Sequence, residues 1–265
     1  MTGDGESEVV RMAKAGRQGP RTSVWLTGEG RRSGRRGGQP SGLDRDRITE
    51  ATVRLLDAEG LTGFSMRRLA AELNVTAMSV YWYVDTKDEL LELALDTVFG
   101  ELRHPDHGPD SGEDWREQLR TLARENRALL VRHPWLARLL GTYLNIGPHS
   151  LAFSRSVQAV VGRSGLPAHR VTGAIAAVFQ FVNGYGTIEG RFLARVADTG
   201  LSADEYFQDS MNAATGLPDT AGVIEDAQEI MAARGGDTVA EMLDRDFEFA
   251  LDVLVAGIEA MVARG

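Results

Sequence analysis

Apolar residues recur every three or four positions from Leu43 almost to the C-terminus, and runs of alternating β-branched residues are missing. A period near 3.6 gathers such residues on one face of a helix, whereas a half-buried strand needs a period of two. The chain is therefore expected to be all-α. At 265 residues it exceeds one typical domain, and its 43% of hydrophobic residues suffices for real cores. There is no cysteine, which excludes disulfides, thiolate metal sites and cysteine nucleophiles. The opening MTGDGESEVVRMAKAG has no apolar core of a signal peptide, and no run approaches the ~18 uninterrupted apolar residues of a membrane span. The expectation is a cytoplasmic protein with no membrane partner.

Charge is spread unevenly. Arg11, Lys14, Arg17, Arg21, Arg31, Arg32, Arg35 and Arg36, set against Asp4, Glu6, Glu8 and Glu29, give the first 42 residues a net +4. The rest then carries -13, for a total of -9. Within this arm, GEGRRSGRRGGQPSG cannot bury enough apolar surface to offset the entropy of ordering, so residues 1–42 are expected to be disordered. Val24, Trp25 and Leu26 are its one apolar spot. A basic tail on an acidic body suits a nucleic-acid arm, and tails without a partner share the layout.

Helix boundaries are legible in the caps. Asp44 is an N-cap flanked by Leu43 and Ile48, a hydrophobic staple, and Ile48, Ala51, Thr52, Leu55 and Leu56 form one face ending at Gly60. Ser65 caps a second helix (Met66, Leu69, Ala70, Leu73) that Asn74 stops. Thr76 caps a short third helix, which Val84 and Asp85 end. Thr86 and Glu89 have capping-box spacing before a fourth helix through Leu90, Leu91, Ala94, Leu95, Val98 and Leu102. Longer helices are expected from Trp115 to His133-Pro134, over 151–161 and 167–196, and through Phe247, Leu251 and Leu254 at the end. A short helix from Trp135 to Leu140 and smaller segments over 203–233 complete the set.

The second and third helices, MRRLAAEL and TAMSVYWY, are joined only by Asn74 and Val75. That spacing fits a helix-turn-helix whose second helix enters the DNA major groove, and by geometry alone it fits an ordinary helical corner equally. Residue choice favours the first reading. Ala77, Met78 and Ser79 are small or unbranched where a core helix carries branched apolar residues. Val80 and Val84 share the inward side. Tyr81 and Tyr83 can offer hydroxyls to phosphates, and Trp82 is expected to pack at the domain edge. Lys87, in the first turn of the fourth helix, can add its ammonium to the same phosphate.

The stretch LDRDRITEATVRLLDAEGLTGFSMRRLAAELNVTAMSVYWYVDTKDELLELAL resembles the N-terminal domain of TetR-family transcriptional regulators. More weakly, GEDWREQLRTLARENRALLVRHPWLARLL and FEFALDVLVAGIEAMVAR look like that family's ligand-binding, dimerising domain. The resemblance implies a helix-turn-helix DNA-binding domain over 43–90 and a ligand-binding and dimerisation domain over 91–265. It implies that Arg67, near the Ser65 cap, reads a base or phosphate, that Thr76, Ala77, Met78 and Ser79 face bases, and that Tyr81, Tyr83 and Lys87 clamp the backbone. Residues 43–90 carry six basic and nine acidic side chains, an unhelpful balance for DNA. Arg31, Arg32, Arg35 and Arg36 can compensate in a narrow minor groove. Such an arm is similar to the long extension of the family's simocyclinone-responsive efflux repressor.

The expected partners are a double-stranded DNA operator, a small-molecule effector and a second copy of the chain, with no cofactor and no metal. Candidate homodimer contacts are Ala174, Ala177, Val178 and Phe181 on one long helix and Leu254, Gly257, Ile258 and Met261 on the last, although the same periodicity fits a monomer core. Candidate effector contacts are Trp135, Leu139, Tyr143, Phe179, Asn183, Tyr185, Glu189 and Phe192, which mix rings with polar groups and suit plain core as well. The resemblance implies repression of an efflux or antibiotic-related gene. Arg103, not histidine, ends the fourth helix, so the metal-tetracycline chemistry of the family's namesake is not carried over. An enzyme finds little support. His104, Asp106, His107 and Asp110 lie in a Gly/Pro loop, Gly184 and Gly186 follow no strand, and no nucleophile sits with a base. A sequence-independent architectural DNA binder is the other alternative.

Overall fold

A computed structural model describes residues 23–26, 42–105 and 114–265, and all regular structure among them is helical. In chain order the elements are α1 (Arg45–Gly63), α2 (Met66–Glu72), α3 (Ala77–Tyr81), α4 (Lys87–Phe99) and α5 (Trp115–Arg132). A 3-10 turn (Leu136–Arg138) is followed by α6 (Pro148–Gly162), α7 (Ala168–Ala197), α8 (Ala203–Thr215), α9 (Pro218–Arg234) and α10 (Val239–Ala263). The all-α expectation holds. Arg31, Arg32, Arg35 and Arg36 lie outside the described residues, as do Asp106, His107 and Asp110.

The caps behave largely as the sequence suggests. Asp44 accepts a hydrogen bond from the Arg47 amide at 2.8 Å, with Leu43 and Ile48 both buried beneath it. Gly60 breaks α1 at φ 67°, a conformation costly for any residue with a Cβ. Thr86 accepts from the Glu89 amide at 3.0 Å, but the reciprocal bond differs. The Glu89 carboxylate accepts from the Asp85 amide at 2.8 Å and also pairs with Arg45, so it ties the start of α4 to the start of α1.

Two apolar cores form. The first joins α1 to α4 and draws in Leu129, Leu130, Trp135, Leu136 and Leu139. It therefore runs on past residue 90, and the helix-turn-helix segment shares its interior with the C-terminal part. The second core packs α5, α6, α7 and α10 around Leu119, Leu122, Val160, Val182, Phe247 and Leu251. Phe153 on α6 touches both. Its ring meets Phe99 edge-on at 5.9 Å and Phe179 at 5.5 Å.

Every residue from 90 to 96 on α4 is buried, as befits a helix enclosed on all sides. Two of these residues are acidic, and each finds backbone donors. Asp96 accepts from the Ser150 amide at 2.8 Å and the His149 amide at 3.3 Å, which places a carboxylate at the N-terminus of α6. Glu92 accepts from the Val24 amide at 2.8 Å and the Ser23 hydroxyl at 3.1 Å. Residues 23–26 are thus docked on α4, and Val24 joins the first core. The expectation of a disordered arm fails for this stretch, because the Val24 side chain fills the first core while its amide and the Ser23 hydroxyl satisfy a buried acid.

Helices α5 and α7 cross closely where α7 has glycine at two positions one turn apart. A Cβ on Gly186 would fall 3.0 Å from Leu130 Cβ, and one on Gly190 would fall 3.0 Å from the Leu130 carbonyl oxygen. Close helix packing accounts for Gly186 without a phosphate loop.

Removing the buried acceptor at α6 is expected to destabilise the fold. Asp96→Ala should lower the unfolding free energy by about 2 kcal/mol, because two helix-terminal amides lose their acceptor. Gly147→Ala should act in the same direction, since its Cβ would fall 2.2 Å from Asp96 Oδ1. Urea unfolding followed by circular dichroism measures both.

Candidate nucleic-acid interface and C-terminal core

Helices α2 and α3 meet at a turn built by two residue choices. Asn74 adopts φ 54°, a left-handed conformation that asparagine tolerates better than most residues, and the Val75 amide donates to the Ala70 carbonyl at 2.9 Å. Ser65 caps α2 by accepting from the Arg68 amide at 3.2 Å. Thr76 caps α3 by accepting from the Ser79 amide at 3.2 Å, and its hydroxyl lies 2.9 Å from that of Ser79. Leu69, Val80 and Val84 are buried and lock both helices to α1 and α4.

The outward face carries the expected reading residues. Met78 is 69% exposed and Tyr81 43%. Arg67 and Thr76 are exposed, while Ala77 and Ser79 are half-buried. Arg67 has no ion pair among the described residues, whereas its neighbour Arg68 is engaged by Glu59. Ser65 and Thr76 use their hydroxyls as caps, so their first role is to hold the helix starts in place.

Three details differ from the sequence reading. Trp82 does not pack at the domain edge. It is 74% exposed, because the inward positions of this short helix belong to Val80 and Val84. The Tyr83 hydroxyl is covered and has no hydrogen-bond partner among the described residues, and burial, then the charge of Asp44, raises its pKa. Lys87 turns its ammonium toward the end of α1, donating to the Phe64 carbonyl at 3.0 Å and lying 5.1 Å from that ring's centroid. Tyr81, Trp82 and Met78 thus form the free surface of α3. Tyr83 and Lys87 would have to leave their present surroundings to reach a phosphate.

The residues proposed for an effector do not form one group. Trp135 and Leu139 are buried in the first core with Tyr143 at its edge, and the Trp135 indole donates to Asp57 at 2.6 Å. Phe179 and Tyr185 pack against the second core, and the Tyr185 hydroxyl donates to the Leu243 carbonyl at 2.7 Å. Asn183 accepts from Asn126 at 2.9 Å, and Phe192 packs edge-on to Tyr206 at 6.0 Å. Glu189 receives a two-pronged bond from buried Arg127, Nε at 2.6 Å and Nη2 at 2.7 Å. Arg127 also pairs with Asp244 at 2.7 Å, and its guanidinium lies 4.7 Å from the Phe247 ring centroid. Sequence reasoning missed Arg127, since an arginine on an amphipathic helix carries no signal of burial. Phe153 was missed because helical period does not say that one ring will touch two cores.

The residues expected at a dimer face divide between the protomer interior and its surface. Val178 and Ile258 are buried in the second core, and Phe181 stacks on Phe247 at 5.5 Å, so these three hold the protomer together. Ala174 and Leu254 are half-buried. Ala177, Gly257 and Met261 are exposed, in line with Gly184 and Ile188 on α7 and with Phe249 and Val253 on α10. Ile188 is 71%, Phe249 73% and Val253 55% exposed. The α7 helix spans 30 residues, and its most apolar window is only 17% buried, a length and composition that would also suit a membrane span. Here it packs on α5 and α6 along one side and leaves a stripe of small residues on the other.

Two family models match the chain. Residues 48–94 match "Bacterial regulatory proteins, tetR family", and residues 108–262 match "Tetracyclin repressor-like, C-terminal domain". The HTH-type transcriptional repressor DrrR1 of Streptomyces coeruleorubidus is 35% identical over 244 residues, covering 91% of this chain and 85% of its own. An HTH-type transcriptional regulator of Saccharopolyspora erythraea is 44% identical over 142 residues, and that match spans 59% of the relative's length. Among solved structures, ActR of Streptomyces coelicolor in complex with actinorhodin has a TM-score of 0.65 at 28% identity, covering 83% of this chain and 97% of its own.

Proposed function

From the premise that this chain belongs to the TetR family of bacterial regulatory proteins, we propose that it is a ligand-responsive transcriptional repressor. In this reading it occupies a palindromic operator as a homodimer and leaves it when a small molecule binds. One observation carries the DNA reading: Arg67, Thr76, Met78, Tyr81 and Trp82 stand exposed on paired short helices whose inner faces are fixed by Leu69, Val80 and Val84. Residues 43–90 form the reading head and 91–265 the ligand-binding and dimerising body. The effector is a drug-like or antibiotic-like compound, and the controlled gene serves efflux or antibiotic chemistry. The ActR complex with actinorhodin and the repressor name of DrrR1 support this assignment. A cytoplasmic regulator without cofactor or catalysis follows from the same premise.

Arg31, Arg32, Arg35 and Arg36 serve as a minor-groove arm, on a stretch similar to the long extension of the simocyclinone-responsive repressor. Docking of residues 23–26 on Glu92 supports this use, because the basic stretch is then bounded by attached residues on both sides. The mate sits on the exposed stripe of α7 and α10, where Gly184 and Ala177 allow close approach and Ile188, Phe249 and Val253 supply apolar area.

Duplexes enriched by the protein from a randomised pool test the DNA reading. A palindromic consensus is expected, and enrichment without any consensus would favour the architectural alternative. On the selected duplex, Arg67→Ala and Tyr81→Ala should each cost about 1–3 kcal/mol in affinity with little change in the unfolding midpoint. Replacing Arg31, Arg32, Arg35 and Arg36 by alanine keeps the docked residues 23–26. It should flatten the log-log salt dependence of binding by roughly 0.9 for each phosphate that is no longer neutralised.

Charge placed on the exposed stripe checks the dimer. Val253→Arg should raise the dimer dissociation constant by roughly 30-fold or more, the effect of about 2 kcal/mol at an interface hot spot. Sedimentation analysis reads the change, and a folded monomer is the expected product.

A further inference from the structure

His133 follows the last residue of α5 and is enclosed by protein, with a side chain only 4% exposed. Its ring nitrogens face carboxylates from two other elements. Nδ1 lies 2.6 Å from Asp57 Oδ1 on α1, and Nε2 lies 3.2 Å from both oxygens of Glu101, just beyond α4. The Trp135 indole donates to the same Asp57 oxygen, with its ring edge-on to the imidazole at 5.8 Å. Arg132, on α5 itself, pairs with Glu101. Among the described residues, Asp57, Glu101 and Arg132 are the charged groups that these contacts bring to the ring.

We propose that His133 is a positioning residue: as an imidazolium bonded to Asp57 and Glu101 it pins α1, and with it α2 and α3, at a set angle to α5. The charged ring donates from both nitrogens, so each carboxylate receives a proton-bearing partner. A neutral ring donates from one nitrogen only. It can hold α1 or the end of α4, and the other carboxylate then faces a lone pair. Loss of one proton therefore loosens one of the two bonds that His133 makes to the α1–α4 group. The functional weight of the pin rests on the reading-head assignment, but its geometry does not depend on what α3 touches.

The surroundings favour the charged ring. Burial opposes the charge, but hydrogen bonding and charge from Asp57, then Glu101, outweigh it and hold the pKa above the ordinary histidine value. A raised folded pKa means that the stabilising contribution is complete below the ordinary value of about 6.5 and is lost as pH rises through the folded value. The pin therefore releases on the alkaline side.

The absence of cysteine permits a direct test. Glu72→Cys on α2 and Ala128→Cys on α5, both at exposed positions, take a pair of nitroxide labels. Labelled chain diluted into unlabelled protein reports the intramolecular distance by pulsed electron resonance at about pH 6 and about pH 9. The expected result is a narrow distribution at the lower pH and one about twofold broader at the higher. His133→Gln should be broad at both. Glu101→Gln removes one charge beside the ring and should move the midpoint to lower pH.

A wild-type distribution that ignores pH, or a His133→Gln protein that keeps the wild-type response, would overturn the proposal. If His133→Gln does not fold by circular dichroism, Glu101→Gln decides alone, and an unmoved midpoint overturns it. No DNA is present, so the outcome is independent of whether the chain reads an operator.

Discussion

Helix α4 is buried on every side from residue 90 to residue 96, and the arrangement of the other elements follows from what that enclosure requires. Its apolar side chains need cover from all directions, which α1, α6 and the α5 end supply. Its two acids are more demanding, because a buried carboxylate without donors costs several kcal/mol. Asp96 is answered by the first amides of α6 and Glu92 by Ser23 and Val24. The start of α6 and the docked arm are therefore placed by electrostatic need as well as by apolar packing. Phe99, meeting Phe153, carries the contact on into the second core.

This enclosure makes the helix-turn-helix part of a continuous body. The first core recruits Leu129, Leu130 and Leu136 from beyond α4, so the helices of the helix-turn-helix segment share one interior with the end of α5. His133 and Trp135 add a polar seam at the same junction, both reaching Asp57. In the proposed function, a ligand bound in the C-terminal part acts on the helix-turn-helix through these contacts. Coupling of this kind amounts to about 1–3 kcal/mol in general, a scale that a few charge-assisted bonds can match.

Much of the local structure was legible in the sequence. Asp44, Ser65, Thr76 and Thr86 cap helices where their side chains predict, Gly60 kinks α1 and Asn74 makes the turn after α2, both at positive φ, and Val80 and Val84 face inward. Those features depend on neighbours within four residues and on helical period alone. The site was less legible. Lys87 bonds the Phe64 carbonyl, a partner 23 positions away, and Trp82 is exposed because no other element comes to cover it. Neither outcome can be found from a helical wheel.

The amino-acid order by itself determined an all-helical chain, most of its helix boundaries and a pair of short helices joined by a tight turn. Those follow from backbone hydrogen-bonding needs and side-chain period, which act over one or two turns. Only the tertiary structure decided that Val178 and Ile258 face inward while Ile188 and Val253 face out. It also decided that Arg127 lies buried against Glu189, and that His133 stands between Asp57 and Glu101. Period states which residues share a face, but the neighbour that covers the face is chosen by packing across the whole chain.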